Sequence, residues 1–465
     1  MERLANKSVL VLGLGETGLS MLRYLKAQGA HLRAADSRNN PPGLAEAKKY
    51  VVEPLIQCGA FDDELFIGID LIAISPGVPL GDPVVARAVA CGIPVVGDIE
   101  LFARSLPVEN RPRVLAITGS NGKTTVTSMV EHLCREAGKD VVAAGNISPA
   151  VLDAQAQRGD KQPEVWVLEL SSFQLETTET LNADAATVLN VSEDHLDRYA
   201  SMEEYSAAKA RIFSGAAVQV LNRDDARSMA MALALALPED QRARAQVTFG
   251  LSAPEHEGDF GILLHDGTTW LAQGEQPLME ASELRVAGSH NVANALAALA
   301  LCSAIDLPMP VMLSALCSFE GLPHRVERVA EMDGITYYDD SKGTNVGATI
   351  AALEGLGCRS VLIAGGEGKG QDFSPLKAAV SKHARAVVLI GRDAGMIAAA
   401  LHDCGVPVER AGDMGAAVRQ ASHLAQSGDA VLLSPACASF DMFRNYEHRA
   451  EVFVQAVREL EKESA

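Results

Sequence analysis

Apolar and polar positions along the chain repeat one theme: a short continuous run of Val, Leu, Ile and Ala, a glycine-rich turn, then a stretch of helical spacing. The first instance is SVLVLGLGETG at Ser8 to Gly18. An apolar run without polar alternation, closed by glycines, predicts a strand buried on both faces that feeds a helix. LIAISPGV (Leu71 to Val78) and IPVV (Ile93 to Val96) repeat the signal, which predicts a βαβ domain over residues 1–108. The polar, proline-bearing PVENRPR (Pro107 to Arg113) reads as a linker. VLAITGSNGKTT opens a second domain, placed at 109–320, with the strands VWVLEL (Val165 to Leu170) and ATVLNV (Ala186 to Val191). Its stretch Thr248 to Leu284 is Gly-rich, with short alternating runs such as GILLHDGTTWLA, and predicts a β meander rather than another βα unit. NVANALAALALCSAI (Asn291 to Ile305) predicts a helix. From GLPHRVE at Gly321 a third domain, 321–465, resumes the rhythm with VLIAGG (Val361 to Gly366), AVVLIG (Ala386 to Gly391) and AVLLSP (Ala430 to Pro435). The expected class is α/β, three domains in series. A Rossmann-like domain comes first, a P-loop domain with a parallel sheet and a small meander second, and a second Rossmann-like domain last.

Composition narrows the partners. The 465 residues fit three domains of roughly 150 each. Lys plus Arg is 40 against 60 Asp plus Glu, a net charge of −20 with histidine neutral. That field repels nucleic acid and anionic lipid, so an anionic ligand must be held by local cations and backbone dipoles. At 48% hydrophobic and 22% charged the chain can bury real cores, which excludes global disorder. The longest apolar stretches, Met229 to Leu237 and Ala295 to Ile305, fall short of the roughly 20 residues of a membrane span. MERLANKSVLVLG reads as a strand entering a glycine turn and not as a cleavable signal. The eight cysteines form no CxxC pair, so neither a zinc site nor a disulfide framework is expected. These readings describe a cytoplasmic enzyme with no nucleic-acid partner and no membrane insertion.

Two loops carry candidate chemistry. TGSNGKTT (Thr118 to Thr125) lies between a buried strand and an amphipathic helix. Its glycines let backbone N–H groups turn toward an anion, the helix N-terminus adds its positive dipole, Lys123 supplies a point charge and Thr124 a hydroxyl for Mg2+. Ile117 stands where the usual phosphate-loop pattern has its first glycine. GLGETG (Gly13 to Gly18) matches the dinucleotide fingerprint, and Asp36, closing HLRAAD, sits near the spacing of a ribose-binding acid. Alone this points to a nicotinamide dehydrogenase or to a structural turn, but a dehydrogenase has no use for the second loop. Glu169, at a strand end facing the phosphate loop, suits a Mg2+ ligand or a water-orienting acid. NVSEDHLDRY adds Glu193, Asp194, His195 and Asp197 after another strand end. His195 reads as a metal or phosphate ligand or as an ordinary loop histidine, and Lys209, in the helical EEYSAAKARIF, as a lysine on a solvated face.

In order, TGSNGKTT, ELSSFQLE, NVSEDHLDRY, GSHNVAN, GLPHRVE, DDSKGTN and SPACASFD resemble the Mur ligase superfamily, and the resemblance spans all three domains. It implies ATP-dependent amide-bond formation in peptidoglycan precursor synthesis, adding D-glutamate to UDP-N-acetylmuramoyl-L-alanine through an acyl phosphate and a tetrahedral intermediate, by a monomer. The family shows the same departure at Ile117. By resemblance Lys123, His195, Lys209 and Lys342 form the catalytic set. Gly119, Asn121, Gly122, Lys123, Thr124, Thr125, Asn291, Asn294, Arg325 and Asp340 bind ATP. Two Mg2+ ions are implied, with Thr124, Glu169, His195 and Lys209 as ligands, Lys209 carrying a CO2-derived carbamate. The N-terminal glycine loop would bind UDP and not NAD, through Gly15, Glu16, Thr17, Asp36, Ser37, Arg38 and Gly77, with Asn146 and His195 on the acceptor. Thr344, Lys369, Ser439, Phe440 and Tyr446 would grip glutamate. Family members often carry a smaller residue at the Phe440 position. The alternatives are another Mur-type or folylpolyglutamate-type ligase, or a nucleotide-switched binding protein.

Overall fold

A computed structural model describes residues 4–159, 161–194, 198–234, 245–286 and 288–464. Three sheets follow one another along the chain. The first contains β1 (Ser8–Leu12), β2 (His31–Asp36), β3 (Ile56–Cys58), β4 (Leu71–Ile74) and β5 (Val95–Val96). They lie in the order β3-β2-β1-β4-β5, all parallel. The order reverses between β1 and β4, so a crevice opens at their carboxyl ends, the usual ligand position in such sheets. There the Gly13 turn meets the Ser75–Val78 turn: a Cβ on Gly13, whose φ is +91°, would come 2.8 Å from that of Ser75. Only glycine allows that approach.

The second sheet contains β6 (Arg113–Thr118), β7 (Val141–Gly145), β8 (Val165–Glu169), β9 (Ala185–Val188), β10 (Val218–Asn222), β11 (Ala245–Phe249), β12 (Phe260–His265), β13 (Thr268–Gln273) and β14 (Gln276–Glu280). Its order is β14-β13-β12-β11-β10-β9-β6-β8-β7. The strands pair in parallel from β7 to β12, and β12, β13 and β14 form the antiparallel meander. The predicted meander therefore begins too early: Thr248 and Phe249 belong to parallel β11, whose AQVTF alternates polar and apolar residues and so reads like a meander strand. Helices Lys123–Glu136 and Ser289–Ser303 cover one face, burying Met129, Val130, Leu133, Leu296 and Leu299 against Leu115 and Val167. Each such side chain contributes about 1.5–3 kcal/mol of burial, enough to hold the two helix N-termini rigidly.

The third sheet contains β15 (Glu327–Met332), β16 (Ile335–Asp339), β17 (Ser360–Gly365), β18 (Ala384–Ile390), β19 (Val408–Arg410) and β20 (Ala430–Leu433), in the order β15-β16-β20-β17-β18-β19. Only β15 runs antiparallel, as a hairpin with β16. Between the first two sheets, Phe102 of helix Asp98–Ser105 packs edge-on against buried Trp166 of β8, ring centroids 5.0 Å apart, and Arg23 pairs with Asp153. No helix among the described residues is long and apolar enough to cross a membrane.

Candidate active site

The sharp turn after β6 places the glycine loop at the carboxyl end of a strand buried from Val114 to Thr118. Gly122 caps helix Lys123–Glu136 at φ +82°, and a Cβ there would come 2.8 Å from Asn294 Oδ1. Two adjoining cavities open on this loop. One, of about 650 Å3, is walled by Lys123, Thr124, Asn146, Glu169, Lys342 and Tyr446 among others. The other, of about 340 Å3, is walled by Thr125, Phe249, Asn291, Asn294 and Asp340 among others. Asn121, Gly122, Arg325 and Lys342 border both. The larger is the polar chamber, while Phe249 and the aliphatic lining of the smaller suit a flat aromatic base.

Lys123 folds back over its own loop, Nζ donating to the carbonyls of Gly119 (2.8 Å) and Ser120 (3.0 Å). Lys209 Nζ donates to the same Gly119 carbonyl at 2.9 Å and lies 4.4 Å from the centroid of the Tyr205 ring. The solvated-face reading of Lys209 is thus overturned: the residue is 1% exposed, because its helix Met202–Ala210 presses the Tyr205 and Lys209 edge under the phosphate loop. Burial first, then the charge of Lys123, push the Lys209 amine well below its ordinary pKa. Burial also lowers Lys123, against the pull of Glu169 and Asp194.

Glu169 ends β8 as a buried carboxylate. Its Oε1 accepts from Asn146 Nδ2 at 2.8 Å; Oε2 has no partner among the described residues. A buried carboxylate oxygen left unpaired is costly unless a ligand completes it. The Thr124 hydroxyl and the Glu169 carboxylate, both on the wall of the larger cavity, are hard-oxygen donors of the kind that Mg2+ takes. His195, the remaining expected metal ligand, lies outside the described residues.

The last domain closes the chamber with charge. Burial raises Asp340 to about 7, although Ser434 Oγ donates to it at 2.6 Å and Arg325 faces it. Burial lowers both Arg325 and Lys342; the charge of Arg325 depresses Lys342 further, while Asp340 and Glu169 pull Arg325 back up and Glu447 and Glu169 do the same for Lys342. Lys342 Nζ stands 3.7 Å over the Tyr446 ring, whose hydroxyl burial raises to about 12. Asn345 Nδ2 donates to Asn121 Oδ1 at 3.0 Å, tying the last domain to the phosphate loop. Asn294 Nδ2 donates to Asn291 Oδ1 at 3.1 Å on the helix facing the smaller cavity.

Of the expected glutamate residues, Thr344 and Tyr446 line the larger cavity. Ser439 is buried, whereas Phe440 is 66% exposed and Lys369 exposed, and none of the three is in the cavity linings. The Lys369 and Ser439 loops are joined through the bridge between Glu367 and Ala438. In the N-terminal crevice, Gly15 caps helix Glu16–Ala27 and Gly77 is exposed. Asp36 does not stand open as a ribose acceptor. Its carboxylate takes the Leu14 N–H at 2.7 Å and both the backbone and the guanidinium of Arg38, next to Ser37, so it shapes the loop and presents Arg38. Glu16 accepts from Ser148 Oγ at 3.0 Å, beside Asn146, and Thr17 follows in the same first turn.

Sequence reading missed several supports. Asn190 Oδ1 accepts from the Asn121 N–H at 2.8 Å, and Tyr205 hydroxyl meets Ser120 Oγ at 3.2 Å. Fully buried Arg449 donates to the carbonyls of Ser341 (2.7 Å) and Cys437 (3.0 Å), tying the DDSKGTN and SPACAS loops together. Nothing in RNYEHRAE signals a buried arginine; Asn190 was detectable as the polar residue two positions beyond the apolar strand Ala185–Val188.

Three family models match along the chain: Mur ligase MurD-like, N-terminal domain, over residues 7–97; Mur ligase middle domain, over 117–302; and Mur ligase, glutamate ligase domain, over 324–437. The chain is 58% identical to the UDP-N-acetylmuramoylalanine–D-glutamate ligase of Nitrosospira multiformis, covering 98% of this chain and 96% of that one. It is 57% identical to that of Nitrosomonas europaea, over 98% and 97%. Among solved structures, a pseudomurein peptide ligase type C from Methanothermus fervidus superimposes with TM-score 0.58 at 18% identity, over 98% of this chain and 100% of that one. A UDP-N-acetylmuramate-alanine ligase from Thermotoga maritima gives TM-score 0.58 at 18% identity, over 97% and 99%. These two bear on the fold alone.

Proposed function

Because the chain belongs to the Mur ligase family, we propose that this site joins D-glutamate to the alanyl carboxylate of UDP-N-acetylmuramoyl-L-alanine at the expense of ATP, in cytoplasmic peptidoglycan precursor synthesis. One observation carries the reading: Lys123, Glu169, Arg325 and Lys342, from two different domains, wall one chamber at the mouth of the phosphate loop.

A carboxylate is a poor acyl donor, so a phosphoryl group must first be installed. The alanyl carboxylate oxygen attacks the γ-phosphorus of ATP and the bond to the ADP oxygen breaks, giving an acyl phosphate. The D-glutamate amine then attacks the carbonyl carbon. The tetrahedral intermediate expels phosphate with its bonding electrons, and the nitrogen loses a proton. Two anions meet in the first step, and Lys123, Arg325 and Lys342 offset their repulsion. Bound Mg2+ supplies further charge neutralisation on the phosphoryl oxygens. Thr124, Glu169 and carbamylated Lys209 would hold it, with His195 on a second ion; the unpaired Glu169 oxygen supports this assignment. Asn121, Gly119, Gly122 and Thr125 would cradle the triphosphate, with Asn291 and Asn294 on the adenine side and Arg325 with Asp340 on phosphates and ribose. Gly15, Glu16, Thr17, Ser37, Arg38, Gly77 and Asn146 would seat the UDP end, Asp36 acting through Arg38. Thr344, Lys369, Ser439, Phe440 and Tyr446 would take glutamate, the exposed members moving in when it binds. The domains divide at 1–108, 109–320 and 321–465, and the protein works as a monomer.

The test is phosphate release over a panel of amino acids with UDP-N-acetylmuramoyl-L-alanine and ATP-Mg. Release that needs both the acceptor and D-glutamate is expected. ATP turnover indifferent to both would instead indicate a nucleotide switch, and preference for another amino acid would reassign the substrate.

A further inference from the structure

Arg198 has no part in the chemistry above, yet its guanidinium is among the most completely engaged of the site's surroundings. It comes from the middle domain, four residues beyond Asp194, which lines the phosphate chamber. Nη1 donates to the carbonyl of Pro76 at 2.6 Å, and Nη2 donates to Glu176 at 3.1 Å and to the Val78 carbonyl at 3.4 Å. The guanidinium carbon lies 4.1 Å from the centroid of the Phe173 ring. The other Glu176 oxygen accepts from Tyr199 hydroxyl at 2.7 Å, so the counter-ion is itself fixed. A planar fork held by an aromatic face and a tethered carboxylate has little freedom left, and the side chain is only 13% exposed.

What it grips is the turn Pro76–Gly77–Val78, which borders the crevice at the β1/β4 reversal. The turn is anchored at one end by buried Val78, but it meets that crevice with main chain and an exposed glycine, so its Pro76 and Val78 carbonyls are held from the middle domain by Arg198. Docking of the two domains does not need Arg198. Phe102 packs on Trp166, Gln174 donates to Asp98 at 3.1 Å, and Glu100 accepts the N–H groups of Glu179 (2.7 Å) and Thr180 (2.9 Å). Those contacts lie on helix Asp98–Ser105; Arg198 is the middle-domain side chain that hydrogen-bonds to the turn itself among the described residues.

We infer that Arg198 is a positioning residue that latches the Pro76–Val78 turn to the phosphate-chamber segment, setting the distance between the nucleotide end of the acceptor and the triphosphate. The inference rests on the UDP-acceptor reading above. It differs from a purely structural role in what it touches: losing the latch loosens one substrate's seat and leaves the other's intact.

Calorimetric titration of UDP-N-acetylmuramoyl-L-alanine and, separately, ADP-Mg into wild type, Arg198→Met and Arg198→Lys decides it. Loss of charge-assisted bonds to the turn is expected to weaken acceptor binding about tenfold to hundredfold in Arg198→Met, with ADP affinity unchanged. Lysine cannot serve Pro76, Val78 and Glu176 together, so Arg198→Lys falls in between. Steady-state KM for the acceptor rises in parallel while KM for ATP does not. Equal acceptor affinity in wild type and a folded Arg198→Met overturns the latch alone, as does parallel loss of ADP affinity. If the methionine variant does not fold, unchanged acceptor affinity in Arg198→Lys overturns it. A wild type that binds ADP but never the UDP acceptor overturns the proposed function, and the latch with it.

Discussion

Lys123 and Lys209 donate to one and the same carbonyl, that of Gly119, at 2.8 and 2.9 Å. Two ammonium groups so close in a low-dielectric pocket repel strongly, and the more deeply buried one gives up its charge first. That one is Lys209, the less exposed of the two, and the proposed carbamate would form from the neutral amine: nitrogen would attack the carbon of CO2, one C–O π bond would open to an oxyanion, and the nitrogen would lose a proton to water, putting an oxygen ligand where an amine stood. Lys209→Ala should therefore lose about tenfold to a hundredfold in kcat, as removal of a metal-supporting group does, and acetate should restore part of it by supplying the missing carboxylate. Lys209→Arg should not respond to acetate, because the guanidinium fills the space. Phosphate release with and without short-chain acids measures both; full activity in Lys209→Ala would remove the carbamate from the scheme. None of this was legible locally. In MEEYSAAKA a lysine four residues from a tyrosine looks like an ordinary helix surface, and only the loop folding back from Gly119 buries it. Asp36 misleads in the opposite sense. Its spacing imitates a ribose acid, while both its oxygens are spent on Leu14 and Arg38.

Secondary-structure elements were far more legible, for a physical reason. Strands such as β1, β6, β8 and β17 are buried on both faces, so their runs carry no polar interruption. β15 escaped detection because ERVAEM lies at a sheet edge, half exposed, with charges interleaved. The phosphate loop was legible because its glycines meet a steric demand. At Gly122 the demand is double: a left-handed backbone and Asn294 standing where a Cβ would go. Gly122→Ala should cost about 1–2 kcal/mol of stability from the left-handed conformation alone. It should also drive Asn294 off its Asn291 bond and raise KM for ATP by about tenfold, the equivalent of one contact. Thermal melts with and without ADP-Mg separate the two effects. The shift that ADP gives wild type should shrink in the variant, and an undiminished shift would mean that Asn294 does not face the nucleotide.

At the scale of the whole molecule, the chamber exists only because domains distant in sequence meet. No motif reports such a meeting, although the ordered series of motifs implied it. The junction turns on Asn345, which does two jobs with two ends of one amide. Oδ1 accepts from the Ala348 N–H at 2.8 Å and caps helix Val346–Gly355, while Nδ2 donates to Asn121 Oδ1 across the domain boundary at 3.0 Å. The jobs can be separated. Serine caps a helix about as well as asparagine but is too short to reach Asn121, and it adds no charge near the phosphates. Asn345→Ser should thus keep its melting temperature within about 2 °C, since its cap is retained, yet hold the domains less firmly together. Asn345→Ala, losing cap and cross-domain bond alike, should drop by about a further 1 kcal/mol. If closure brings Arg325 and Lys342 onto a triphosphate seated at Lys123, Asn345→Ser should raise KM for ATP several-fold, on the order of the net worth of one hydrogen bond. In small-angle scattering it should also show a larger radius of gyration than wild type under subsaturating ADP-Mg and acceptor, converging only at saturation. A variant that matched wild type in both KM and compaction would show that the Asn121–Asn345 bond follows closure passively and does not help to set it.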